Sequence, residues 1–163
     1  EELVRFLVGW RGRAIVIPGR SFSGKTTLVS ELVRAGATYY SDEYAVFDSS
    51  GQVHPYARPM AVRTSTDQKQ EKQTVESFGG SSGNKPLPVG LVLVSEYTEG
   101  ARWRPRSLTA GQGALALLSN TIAARRYPEK AFTTFEQMAP EAVFLKSKRG
   151  EARDTVESIL ALA

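Results

Sequence analysis

Apolar and polar positions change period several times along the 163-residue chain, and each change marks an element. Residues 3–8 and 13–17 are rich in Val, Ile, Leu and Phe and flank Gly9-Trp10-Arg11-Gly12, which predicts two strands joined by a tight turn. The second run is almost wholly apolar, as a strand covered on both faces is. After a break at Pro18-Gly19, Leu28, Val29, Leu32 and Val33 recur at helical spacing and predict a helix over 25–35, with Gly36 just past its end. Residues 38–40 predict a strand, and 44–56 a hairpin that turns at Asp48-Ser49-Ser50-Gly51. Pro59 makes 58–63 an edge strand or an extended segment.

Residues 64–86 lose the pattern. They are Thr, Ser, Gln, Lys, Glu and Gly, with Val75 and Phe78 as their large apolar groups, and they predict a flexible loop or lid. Order returns with a strand at 89–96 and a helix over 110–126, which has Thr109 as N-cap and stops at Pro128. A second helix over 131–138, a strand at 142–145 and a terminal helix over 151–162 follow. No internal repeat is visible, and the elements make one domain spanning 1–163.

Composition narrows the function classes. The chain has no cysteine, which removes disulfides, thiol catalysis and zinc–thiolate sites. No apolar run approaches the roughly 20 residues that a membrane span needs. No membrane partner and a cytoplasmic location are expected, and Glu1 at the start is compatible with a removed leader or upstream domain. The net charge of +4 suits an anionic ligand. Arg102-Trp103-Arg104-Pro105-Arg106 and Lys146-Ser147-Lys148-Arg149 are the two basic clusters; neither matches a nucleic-acid motif, so no nucleic-acid partner is expected.

Candidate chemistry begins at residues 19–27, Gly19-Arg20-Ser21-Phe22-Ser23-Gly24-Lys25-Thr26-Thr27. Gly19, Gly24, Lys25 and Thr26 match G-x-x-x-x-G-K-[ST], the nucleotide-phosphate loop. Glycines let backbone N–H groups turn inward around phosphates, and a helix N-terminus adds positive charge. The motif assigns Lys25 to the β- and γ-phosphates and the Thr26 hydroxyl to Mg²⁺. An apolar strand before the motif and an amphipathic helix after it supply the context it requires.

Transfer chemistry needs an acid beside that loop. Asp42-Glu43 follows the strand after the helix; in a parallel βαβ unit, strand ends share one sheet edge. One acid then takes a hydroxyl proton while the other binds metal. A solvated turn before a hairpin explains the same pair equally well. Glu96, at a strand end, reads better as a surface residue than as a metal-binding acid. His54, the only histidine, and Arg58 and Arg63 are candidate phosphate or substrate contacts, each with an ordinary surface or structural reading beside it.

This order of features resembles the HPr kinase/phosphorylase family, in the branch that includes lasso-peptide kinases. It rests on the loop and its helix ending Arg34-Ala35-Gly36, then Tyr40-Ser41-Asp42-Glu43, then Val53-His54-Pro55-Tyr56 and Arg58-Pro59. The resemblance covers about residues 4–63. It implies an α/β kinase domain related to phosphoenolpyruvate carboxykinase, with a mixed β-sheet flanked by helices. It also implies transfer of the ATP γ-phosphoryl group to a serine hydroxyl, with Mg²⁺, with Asp42 as base and Glu43 on the metal. The family's Glu-Ile-Arg-Gly signature is matched here only by Ala61-Val62-Arg63-Thr64, and Val4 stands near the place of a histidine in the sugar-regulatory members. The expected acceptor is a serine of a peptide or small protein, and the family's assembly suggests a homo-oligomer. Two alternatives stand: a nucleotide-binding regulatory or assembly module with little transfer activity, and a small-metabolite kinase.

Overall fold

The computed structural model describes residues 2–4, 6–19, 24–41, 45–55, 60–63, 70–121 and 126–163. The strands are β1 (Glu2–Val4), β2 (Leu7–Trp10), β3 (Arg13–Val16), β4 (Thr38–Ser41), β5 (Ala45–Phe47), β6 (Gln52–His54), β7 (Met60–Arg63), β8 (Gln70–Gln73), β9 (Leu87–Tyr97), β10 (Arg106–Ser107) and β11 (Val143–Arg149). The helices are α1 (Lys25–Arg34), α2 (Ala110–Leu118), α3 (Pro128–Met138) and α4 (Ala152–Leu162). The fold is mixed α/β, as expected.

Among the described residues, nine strands form one sheet in the order β1-β5-β6-β9-β3-β2-β4, with β11 also on β9 and β10 on β11. β9 runs parallel to both β3 and β11, so all three finish at the same edge. The expected unit from β3 through α1 to β4 keeps its direction but gains an inserted neighbour. β2 lies between β3 and β4, antiparallel to each, which makes β4 parallel to β3. Leu7 of β2 pairs with both Val16 and Ser41, so β3 and β4 end level with one another.

Side-chain alternation divides the core into two. Val8, Ile15, Leu91 and Leu145 pack with α1 and α4 on one face. Leu7, Val16, Val92 and Phe144 pack with α2 and α3 on the other. α1 ends in a Schellman motif, with Gly36 N–H on the Val33 carbonyl and Ala37 N–H on that of Leu32, which places the predicted glycine at C′.

Several boundaries differ from those predicted. The run 3–8 breaks between β1 and β2, where Phe6 has a φ of 64°. α2 begins with a complete Thr109–Gln112 capping box but ends at Leu118, far short of 126. Pro128 opens α3 rather than only stopping its predecessor, because proline suits the first helical turn, whose N–H groups lack helical partners. The predicted loop at 64–86 is structured from residue 70 onward. β8 pairs with β7, Val75 is buried against α1, and Ser81 and Gly83 exchange backbone bonds with Tyr39. Residues 64–69 lie outside the described residues.

The β5–β6 turn is held by one carboxylate. Asp48 accepts from the Ser50 N–H at 2.9 Å, the Ser50 hydroxyl at 2.6 Å and the Gln52 N–H at 3.1 Å, and its other oxygen lies 2.7 Å from His54 Nε2. Burial alone would raise the Asp48 pKa, but these hydrogen bonds outweigh it and bring it down to about 2.

Two outcomes check these assignments. Val75→Ala should cost about 1.5–3 kcal/mol in denaturant unfolding, because it removes apolar atoms from a closed core. An unchanged midpoint would place 75 outside that core. A depressed carboxylate pKa stabilises the fold above its unfolded value and loses that effect as pH falls through its folded value. The stability gap between the wild type and Asp48→Asn should therefore be fully open above about pH 4 and close as pH falls toward 2. A gap independent of pH across that window would contradict the assignment of the turn to hydrogen bonds on an ionised Asp48.

Candidate phosphate-binding site

The motif segment leaves β3 at the edge where β9 and β11 also end, and it enters α1 through Gly24. Gly24 is the α1 N-cap with φ 71° and ψ 17°, a left-handed conformation that glycine adopts without steric cost. Gly19 also has positive φ, at 153°. The first helical bond runs from the Leu28 N–H to the Gly24 carbonyl at 3.1 Å, so the amides of Lys25, Thr26 and Thr27 have no acceptor within the helix.

Lys25 does not extend into solvent. Its side chain is 2% exposed and folds back over the start of the segment, where a Cβ on Gly19 would stand only 2.8 Å from Nζ. The ammonium also lies 5.5 Å from the centre of the Phe6 ring. Thr26 is half-buried and Thr27 exposed. The first turn of α1 contains no acidic residue. The N-terminal end of a helix dipole favours an anion over a cation by about 0.3–1 kcal/mol.

A second cation reaches the α1 N-terminus from the end of β11. Arg149 is 1% exposed; its Nη2 donates to the Gly24 carbonyl at 2.6 Å and its Nη1 to the Gly150 carbonyl at 3.2 Å. Its guanidinium carbon lies 5.8 Å from the centre of the Tyr97 ring at the end of β9. The Tyr97 hydroxyl donates to Glu151 at 2.9 Å. That bond, and the carboxylate's charge, push the tyrosine pKa up. Burial pulls the Arg149 pKa below its ordinary value, against a smaller opposing effect of Glu151.

The sequence reading does not single out Arg149, because Lys146-Ser147-Lys148-Arg149 stands out only as a basic run. The strand's alternation separates the four: Lys146 and Lys148 are exposed, whereas Ser147 and Arg149 are buried. Extending the period-two pattern of 142–145 by four residues would have found it. On the neighbouring strand, Ser95 lies three residues beyond Val92, the register partner of Val16, and its buried hydroxyl has no hydrogen-bond partner among the described residues.

The other candidates divide three ways. Gly19, Gly24, Lys25, Thr26 and Thr27 are placed together as described above. Arg20, Ser21, Phe22, Ser23, Asp42, Glu43 and Arg58 lie outside the described residues, although Ser41, just before the acid pair, ends level with Val16. Arg63 is in β7, opposite Gln70. His54 is bound to Asp48 in the hairpin, which fits its structural reading. Glu96 is exposed and pairs in register with Lys148, as the surface reading expects. Among the described residues no cluster of three or more His, Asp or Glu is arranged to hold a metal. No helix among them is long and apolar enough to cross a membrane. A cavity of about 300 Å³ lies elsewhere, between the β2–β3 turn and the starts of β4 and β9, lined by Trp10, Arg11, Thr38, Tyr40 and Leu87.

No protein-family model matches the chain, and no curated protein matches it in sequence. Its fold does match a solved one. The HPr(Ser) kinase/phosphatase from Coxiella burnetii superposes with a TM-score of 0.54 over 99% of this chain and 93% of that one, at 11% sequence identity. At that identity the likeness is one of fold: a mixed sheet flanked by helices.

Proposed function

We propose that the protein is an ATP-dependent, Mg²⁺-requiring phosphotransferase whose acceptor is a serine hydroxyl of a peptide or small protein. The observation that carries this reading is the concentration of positive charge at one helix end. Arg149 reaches Gly24 at the α1 N-terminus, Lys25 in the first turn folds back over Gly19, and that turn contains no acid. A polyphosphate matches that site in charge and in the backbone donors it needs. The kinase-like fold of the structural neighbour supports the same direction.

In this reading the amides of the loop and Lys25 bind the phosphates, and Thr26 and Glu43 hold the metal. Asp42 accepts the acceptor hydroxyl's proton, and Arg58 and Arg63 supply further contacts to phosphate or substrate. ATP supplies the phosphoryl group. The competing reading, a nucleotide-binding module with little transfer activity, is favoured by one observation. Position 61 in β7 is alanine, where the resembling family carries a glutamate.

Lys25→Ala should weaken ATP binding by tenfold or more in calorimetric titration, since a charge-assisted contact contributes about 1.5–3 kcal/mol. Asp42→Asn should keep ATP affinity and lose about 10²–10⁴-fold in transfer to arrayed serine peptides from γ-labelled ATP. Wild-type transfer by Asp42→Asn would rule out Asp42 as the base. Tight ATP binding with no labelled peptide would favour the module.

A further inference from the structure

We infer that Arg149 is a positioning residue for the phosphate loop: its bond to the Gly24 carbonyl sets the Gly24–Lys25 peptide so that the Lys25 N–H faces out of the α1 N-terminus. A trans peptide is planar, and its C=O and N–H point in opposite directions. Holding the carbonyl toward Arg149 therefore aims the amide away from it. The device is needed because of the residue type. Gly24 sits in the left-handed region, and a glycine can reverse an adjoining peptide with little steric penalty. One helical bond, the 3.1 Å contact from Leu28, would hold it otherwise, whereas Arg149 adds a 2.6 Å charge-assisted one.

The surroundings are built for this contact. A Cβ at position 24 would stand 2.9 Å from Arg149 Nη2, and the φ of 71° is one that residues with side chains rarely adopt. Tyr97 flanks the guanidinium and is itself tied to Glu151. Neither ion pair found among the described residues involves Arg149, and its buried Nε has no hydrogen-bond partner. An apolar side chain would fill a buried strand position at less desolvation cost. What an apolar side chain could not do is hold a carbonyl 125 residues away in sequence. The identity of the anion rests on the proposed function; the setting of the peptide does not.

The test follows the Leu28 amide, whose acceptor is the Gly24 carbonyl, by NMR hydrogen exchange in the full chain, with titrations of inorganic pyrophosphate alongside. Arg149→Met should speed exchange at Leu28 by tenfold or more while Leu32, Val33 and the amides of β9 and β11 keep their protection. It should also weaken pyrophosphate binding about tenfold, and Arg149→Lys should restore part of both. Unchanged exchange at Leu28 would overturn the inference. So would an equal rise across α1, β9 and β11, which marks general loosening. If Arg149→Met does not fold, Arg149→Lys decides, and it must show a smaller but still selective rise at Leu28. A selective rise in a protein whose wild type binds neither pyrophosphate nor ATP would keep the positioning role and remove the phosphate reading.

Discussion

The direction of β9 governs everything at the candidate site. Because it runs parallel to β3 on one side and β11 on the other, the carboxyl ends of three strands distant in sequence share one edge. β3 delivers the motif segment there, β9 delivers Tyr97 and β11 delivers Arg149. Parallel neighbours require covered crossovers, and the helices satisfy that by packing α1 and α4 on one face and α2 and α3 on the other. The inserted β2 does not disturb the edge, since its antiparallel pairing to both β3 and β4 leaves Val16 and Ser41 level.

How much of this was legible depended on whether the signal was local. The α1 period, its Gly36 stop, the Thr109 cap and the apolar runs of β3 and β9 are local, and the structure contains them all. The failures come from long-range packing. The composition of 64–86 is that of a loop, but Val75 finds the α1 face and Tyr39 offers backbone partners to Ser81 and Gly83. Neither partner is near in sequence. α2 was overextended because apolar residues past Leu118 keep a helical spacing, while the chain turns at 119–120. At the site, Gly19, Gly24 and Lys25 were readable as a motif. Arg149 was not, because its role depends on β11 lying beside β9, and a four-residue basic run does not reveal which of its side chains point inward.

Arg149 also separates two reasons a charge might be buried. Moving a guanidinium out of water costs several kcal/mol, and hydrogen bonds to two carbonyls, an aromatic face and the nearby Glu151 carboxylate act against that cost. The buried Nε of Arg149 has no hydrogen-bond partner among the described residues. Lys25 is a second buried cation, at the end of the α1 dipole that favours anions. A structure selected for stability alone would place an acid in the first turn of α1; this one places none there and converges two cations instead. The helix end and the two buried cations that disfavour further positive charge there are the same groups that would attract the anion proposed for this edge.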